Sequence, residues 1–321
     1  MTKPFRFSVT APPWRGSLPE WQADLRRLED GGFHAVVAAD HFTEGWEIEP
    51  LVALTAAALS TTRLHVQTGV LGNDYRHPVL VHRMAAALDA LSGGRLVLGL
   101  GAGWLTSDYE AAGIPLDPPG TRIERLQEAV AVIKGLFRPE PFEYEGTHYR
   151  IAGLQGAPAP VQQPHPPIFL GGGSPRVLRL AGREADIVGI VASLRAGTMG
   201  RHAVVDLARK SVEEKLGWVA EGIAASGRSA DDVTIEMNHW LVRVTDTEAD
   251  AAAFLAKVAA RNEVDVELLE QSPAVLVGTT DQLVDALEER RESLGISYLQ
   301  VDAGFPPADV ESLFPLVARL G

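Results

Sequence analysis

Asp40-His41 puts a carboxylate beside an imidazole directly after the apolar run Ala35–Ala39. Such a pair suits three tasks: holding a metal, moving a proton, or starting a capped loop. A metal needs further ligands close by, and no histidine or carboxylate ends the next three apolar runs. A histidine beside a carboxylate titrates near neutrality, which suits general acid–base work. A hydrogen-bonded structural histidine explains the same two residues. Gly171-Gly-Gly-Ser174 is the second constellation. It joins an apolar run to a helical one, so the free N–H groups of Gly173, Ser174 and the next turn converge as they do in phosphate sites. A tight turn with Ser174 as N-cap and Pro175 at the first helical position accounts for the serine and proline, but not for three glycines in a row. Gly99-Leu-Gly-Ala-Gly103 has the spacing G-x-G-x-G, unlike the dinucleotide fingerprint G-x-G-x-x-G, and lacks that motif's later acidic partner. Its glycines still allow a flat ligand to approach the backbone closely.

Several chemistries are absent. Without cysteine there is no disulfide, thiolate zinc site, iron–sulfur cluster or cysteine nucleophile. There is no Gly-x-Ser-x-Gly elbow and no Walker loop. Twenty-nine basic against 42 acidic residues leave a net charge of −13 and no basic patch, which argues against nucleic acid. Met1–Thr10 lacks the layout of a signal peptide. The longest apolar stretches, near Leu51–Leu59 and Leu96–Leu105, fall short of the roughly 20 residues of a membrane span. A soluble, cytoplasmic protein is expected.

The elements that must position these residues follow from periodicity. Strands are expected at Phe5–Ala11, Ala35–Asp40, Arg63–Val70, Leu96–Gly101, Ile168–Leu170, Asp186–Val191, Thr234–Val244 and Ser297–Asp302. Helices are expected at Leu18–Glu29, Pro50–Ser60, His77–Leu91, Thr121–Phe137, Ser174–Ala185, Val204–Ser226 and Leu283–Leu294, with a closing helix through Leu320. Phe142–Ile151 reads as a hairpin or strapped loop, and the proline-rich Gly153–Pro167 as an extended crossing. Eight strands separated by helices in 321 residues predict one α/β domain over 1–321, a (β/α)8 TIM barrel with insertions. A doubly wound open sheet shares the alternation, and the strand count favours the barrel. In such a barrel the site lies at the carboxyl ends of the strands, where both constellations fall.

Arg76-His77-Pro78, Leu88-Asp-Ala-Leu-Ser-Gly-Gly-Arg95 and Leu98-Gly-Leu-Gly-Ala-Gly-Trp104 form a run that resembles the bacterial luciferase-like flavin and deazaflavin oxidoreductases. Asp40-His41-Phe42, Tyr144–Tyr149, Pro166-Pro-Ile168, Gly171–Asp186 and Leu276-Val-Gly-Thr279 extend the likeness over nearly the whole chain. The resemblance implies a dimeric, luciferase-like barrel holding FMN or coenzyme F420, and the Arg-His-Pro and Gly-Trp forms are more similar to the F420-using branch. It implies Asp40 and His41 near the reactive ring; the residue types themselves suggest His41 as proton donor or acceptor, oriented by Asp40. Thr68, Gly69 and Val70 would back the deazaflavin, the Gly69-Val70 peptide as a bulge that is a non-prolyl cis bond in relatives. Gly101, Ala102 and Gly103 would border the cofactor, and Gly172, Gly173 and Ser174 would hold its phosphate; by its position alone, Arg176 would be a second phosphate contact. Arg76, Arg176 and Arg179 are candidates to offset the charge of the cofactor's phosphate and oligoglutamate tail.

Two departures bear on the substrate. The F420-dependent sugar-phosphate dehydrogenases that this chain resembles carry a catalytic Glu where Trp104 stands, and their acidic residue at the end of strand one has no counterpart among Thr10, Ala11 and Pro12. Trp14, Trp46 and Trp104 would instead line a pocket for a flat or apolar small molecule, or simply pack their loops. The expected activity is hydride transfer between the deazaflavin C5 and an organic substrate. An FMN-dependent monooxygenase and a non-catalytic flavin-binding barrel are the alternatives on the same scaffold.

Overall fold

A computed structural model of the chain describes residues 3–43, 48–194, 201–301 and 310–321. Trp46 lies outside the described residues. Eight strands form a closed parallel barrel: β1 (Arg6–Thr10), β2 (Ala35–Ala38), β3 (His65–Thr68), β4 (Leu96–Gly101), β5 (Ile168–Gly172), β6 (Ile187–Ile190), β7 (Thr234–His239) and β8 (Ile296–Val301). Each pairs with its sequence neighbours, and β1–β8 and β3–β4 complete the ring. The barrel expected from the strand count is therefore the fold.

The connecting helices begin where the sequence supplies a start. They are α1 (Leu18–Asp30), α2 (Pro50–Ser60), α3 (Pro78–Ser92), α4 (Pro119–Leu136), α5 (Pro175–Glu184), α6 (Arg209–Ser226), α7 (Thr280–Leu294) and α8 (Phe314–Leu320). Proline occupies the first turn of α1 through α5, where its missing N–H costs no helical bond. α7 opens with a reciprocal capping box between Thr279 and Gln282. Trp21, Leu25 and Leu28 bury one face of α1, at the spacing that a helix needs to present a single stripe.

The Leu-Ser-Gly-Gly-Arg run does mechanical work at the amino-terminal end of the barrel. Gly93 ends α3 in the left-handed region, at φ +68°. Arg95 then donates to the carbonyls of Ala58, Leu64 and Ser92, each at 2.7 Å, tying the ends of α2 and α3 to the start of β3. The proline-rich crossing is anchored by buried Asp89, which accepts from Val161 N at 2.7 Å and Gln162 N at 3.1 Å. The hairpin forms from Phe142–Glu145 and Arg150–Leu154, its turn held by Glu128, which accepts from the amides of residues 147, 148 and 149.

Three expectations need correction. The run Thr234–Val244 is two strands, because Leu241–Val244 leaves the barrel and pairs in parallel with Val275–Gly278. That pair packs under Glu248–Asn262 and Val266–Glu270 with a core of its own, built on Leu241, Leu255, Leu269 and Val275. The helix expected over Val204–Ser226 breaks into Arg201–Asp206 and α6, since Leu207 and Ala208 turn back to bond Val204 and Val205. A short helix, Thr106–Ala112, follows Trp104 where no element was expected.

Candidate active site

The carboxyl ends of β2, β3 and β4 bring together Asp40, His41, Gly69, Val70, Gly101, Ala102, Gly103 and Trp104. The Gly69–Val70 peptide is cis. Its glycine is obligatory, since a Cβ there would overlap Val37 of the neighbouring strand, and a Cβ on Gly101 would collide with Val70. Thr68 is committed to the wall: its hydroxyl donates to Gly99 O at 2.9 Å and accepts from Gly99 N at 2.7 Å, fully buried. Its hydroxyl is thus bonded between β3 and β4.

Asp40, expected to orient His41, is bonded to other partners. Its buried carboxylate accepts from Gly72 N at 2.9 Å and from both Nη atoms of Arg76, at 2.5 and 3.1 Å. Arg76 also donates to Glu49 at 2.8 Å. Burial alone would push the Arg76 guanidinium down, but Asp40 and Glu49 together push it up. This pair braces the end of β2 against the segment beyond the bulge, and Arg76 arrives at the site with its charge already offset.

His41 pairs with Asp108, in the first turn of the short helix after Trp104. Its Oδ2 lies 2.6 Å from His41 Nδ1, and its Oδ1 accepts from Phe42 N at 3.1 Å. The Asp108 side chain is wholly buried and that of His41 is 16% exposed, so one edge of the dyad faces the protein and the other the mouth. The Trp104 ring meets the imidazole edge-on, with centroids 5.9 Å apart. Trp14 stands in the loop after β1, partly exposed, with no ring contact to Trp104 among the described residues.

Two further supports were missed from sequence. Arg122 on α4, nearly buried, donates to Ala102 O at 3.2 Å and to Gly103 O, fixing the glycine loop after β4 by its carbonyls. Asp74 accepts from Tyr109 at 3.0 Å and from Arg125 at 2.6 Å beneath the dyad. Burial, with nearby Asp74, pushes the Tyr109 phenol up, so it serves as a neutral donor. Arg122 and Arg125 lie on a helix whose sequence pattern looks ordinary, and Asp74 in a short turn; only their reach into the mouth distinguishes them.

Gly172, Gly173 and Ser174 sit apart from this group, at the end of β5. Ser174 is the N-cap of α5, yet its hydroxyl makes no bond to the first turn. A Cβ on Gly173 would strike the backbone of Ala192 and Ser193 beyond β6. The turn is therefore thin by necessity, and it presents unbonded helix-start amides together with an uncommitted hydroxyl. Arg176 and Arg179, expected to offset cofactor charge, are half-exposed and already paired, with Glu124 at 2.7 Å and Glu221 at 2.6 Å.

The family model described as luciferase-like monooxygenase matches residues 13–298. An FMNH(2)-dependent dimethylsulfone monooxygenase of Pseudomonas putida is 27% identical, over 81% of this chain and 71% of its own length. An F420-dependent glucose-6-phosphate dehydrogenase of Microbacterium testaceum is 30% identical, over 81% and 75%. Among solved structures, the coenzyme F420 dependent tetrahydromethanopterin reductase of Methanopyrus kandleri superposes with a TM-score of 0.74, covering 98% of this chain and 97% of that one at 20% identity, a likeness of fold. With most of the chain inside the matched span, it belongs to the luciferase-like monooxygenase family.

Proposed function

We propose that the protein is an F420-dependent oxidoreductase that transfers a hydride between the deazaflavin and a small organic substrate. The observation that carries this reading is the His41–Asp108 dyad at the mouth, 2.6 Å across, beside a backbone-lined bulge. Hydride exchange with an organic substrate moves a proton as well, and the dyad supplies a group to hold it. The residues fit the cofactor: the glycine bulge admits a flat ring, and the α5 start offers amides and the Ser174 hydroxyl to a phosphate.

When bound, the deazaflavin supplies the hydride at C5. The chain does the rest. Asp108 fixes the orientation of the His41 ring through Nδ1, and the imidazole is the group that would hold the proton exchanged with substrate. Arg122 and Gly103 hold the loop that borders the ring, and Trp104 walls the side on which the substrate sits. Tryptophan in place of the acid of the sugar-phosphate dehydrogenases favours a flat or apolar substrate over a sugar phosphate.

A second reading, an FMN-dependent monooxygenase, is favoured by the match to the dimethylsulfone enzyme over 81% of the chain. Titration of the purified protein with F420 and with FMN, followed by tryptophan fluorescence, separates the two. Micromolar binding of F420, with FMN at least about tenfold weaker, supports the deazaflavin reading. The reverse order, with oxygen uptake on adding reduced FMN, replaces it with the monooxygenase.

A further inference from the structure

α6 buries Val212, Lys215, Val219 and Gly222, a stripe spaced three, four and three residues apart. Lys215 thus holds a core-facing position where the pattern calls for an apolar residue, and its side chain is only 1% exposed. A buried ammonium persists only when it is paired and hydrogen-bonded. Asp206, at the end of the short helix Arg201–Asp206, supplies both. Lys215 Nζ donates to its Oδ2 and to its main-chain carbonyl, each at 2.6 Å.

The same Oδ2 accepts from Ser193 N at 2.6 Å. That N–H belongs to the Ala192–Ser193 peptide just beyond β6, and this peptide is the surface on which Gly173 rests, since a Cβ on Gly173 would strike both Ala192 C and Ser193 N. Val191 N adds a tie to Gly172 O at 3.2 Å. One peptide unit therefore has its N–H fixed by Asp206 and its face covered by the triple-glycine turn. Arg176 and Arg179, the basic residues at the start of α5, are paired with Glu124 and Glu221. What the turn offers an anion is main chain and the Ser174 hydroxyl, so its hold depends on where its amides point.

We infer, on the reading that this turn holds a cofactor phosphate, that Lys215 is a positioning residue for that phosphate. Through Asp206 it locks the Ala192–Ser193 peptide, and the locked peptide keeps the Gly172–Ser174 turn in the shape that converges its amides on the anion. Lys215 itself touches no cofactor. Without the ammonium, the Asp206 carboxylate loses the contact that keeps it against Ser193 N, and the peptide is free to turn. The glycines, with no side chains to hold them, follow it.

The test compares each cofactor with its own fragment lacking the phosphate. Tryptophan fluorescence gives the affinities for F420 and for its phosphate-free deazaflavin fragment in wild type, Lys215→Met and Asp206→Ala. Asp206 is partly exposed, so its variant keeps the test valid if Lys215→Met fails to fold. Each variant should bind F420 about tenfold more weakly and the fragment within about twofold of wild type. The double variant should lose no more than either single one, because both break one linkage; additive losses overturn the inference. Parallel weakening of both ligands shows a merely structural role and overturns it, as does F420 affinity unchanged in both variants. If wild type binds FMN in place of F420, the deazaflavin reading fails, and the ratio of FMN to riboflavin affinity decides the role of Lys215 by the same tenfold criterion. A wild type that binds neither cofactor, or holds each no more tightly than its fragment, overturns the inference, because the turn then holds no phosphate.

Discussion

At the scale of residues, the site depends on which carboxylate meets which base. Asp40 is adjacent to His41 in sequence, yet it is held by Arg76 and Gly72, while Asp108, 67 positions further on, holds the imidazole. His41→Ala should lower turnover by about 100-fold or more, the usual worth of a general acid or base, and leave F420 affinity unchanged. Asp108→Asn keeps the shape but frees the tautomer. Steady-state kinetics should then show a smaller fall in kcat and a displaced pH profile, with KM for F420 unaltered; a profile identical to wild type would reduce Asp108 to a packing role. Glu236 is a further buried carboxyl, inside the barrel, with neither oxygen hydrogen-bonded, and burial pushes it up to about 8. The folded chain thus keeps a proton that the unfolded chain releases above its ordinary carboxylate range. Stability should fall as pH rises from about 4.5 to 8, by roughly 1.4 kcal/mol per pH unit at most. Thermal melts of Glu236→Gln should lose that slope and exceed wild type at about pH 7.5.

At the scale of elements, the mouth is shaped by glycines whose need lies in their neighbours. Gly103 has φ +74°, and a Cβ there would overlap the hydroxyl of Tyr109. Gly103→Ala should therefore cost more than about 1 kcal/mol and disturb the loop that Arg122 grips. Its melting temperature should drop and F420 affinity should weaken, whereas Gly113→Ala, also at positive φ but with open space around it, should show only the loss of stability. The glycine run after β4 and the triple glycine after β5 were legible as places of close approach. What approaches them was not, because Val70, Tyr109 and the Ala192–Ser193 backbone come from other turns of the barrel.

At the scale of the whole molecule, α2 carries no charged residue and exposes Val52 at 65% and Leu59 at 67%, beside Leu80 and Leu91 of α3. A helix apolar on every side is stable only when covered on every side. Two copies of a chain at −13 repel each other over most of their surface, and this uncharged face is where the repulsion is least. We expect a homodimer across it. Leu59→Glu should shift the mass in light scattering from dimer to monomer with the fold retained by circular dichroism; an unchanged mass would place the contact elsewhere or nowhere.

Periodicity, turn residues and strand count determined the barrel from the sequence alone, because those signals are local and each repeats along the chain. The same locality explains what was misread: Leu241–Val244 continues the apolar run of β7, and nothing near it in sequence says that its partner is Val275–Gly278. It also explains why the Leu-Ser-Gly-Gly-Arg run, so distinctive as a string, sits at the opposite end from the site, where Arg95 ties helix ends together. Asp40-His41 was recognisable as chemistry because the two residues adjoin. The dyad itself, the grip of Arg122 on the glycine loop and the tie from Lys215 through Asp206 to Ser193 required closure of the barrel, since each joins residues from separate strands and helices that only the folded ring brings within hydrogen-bond reach.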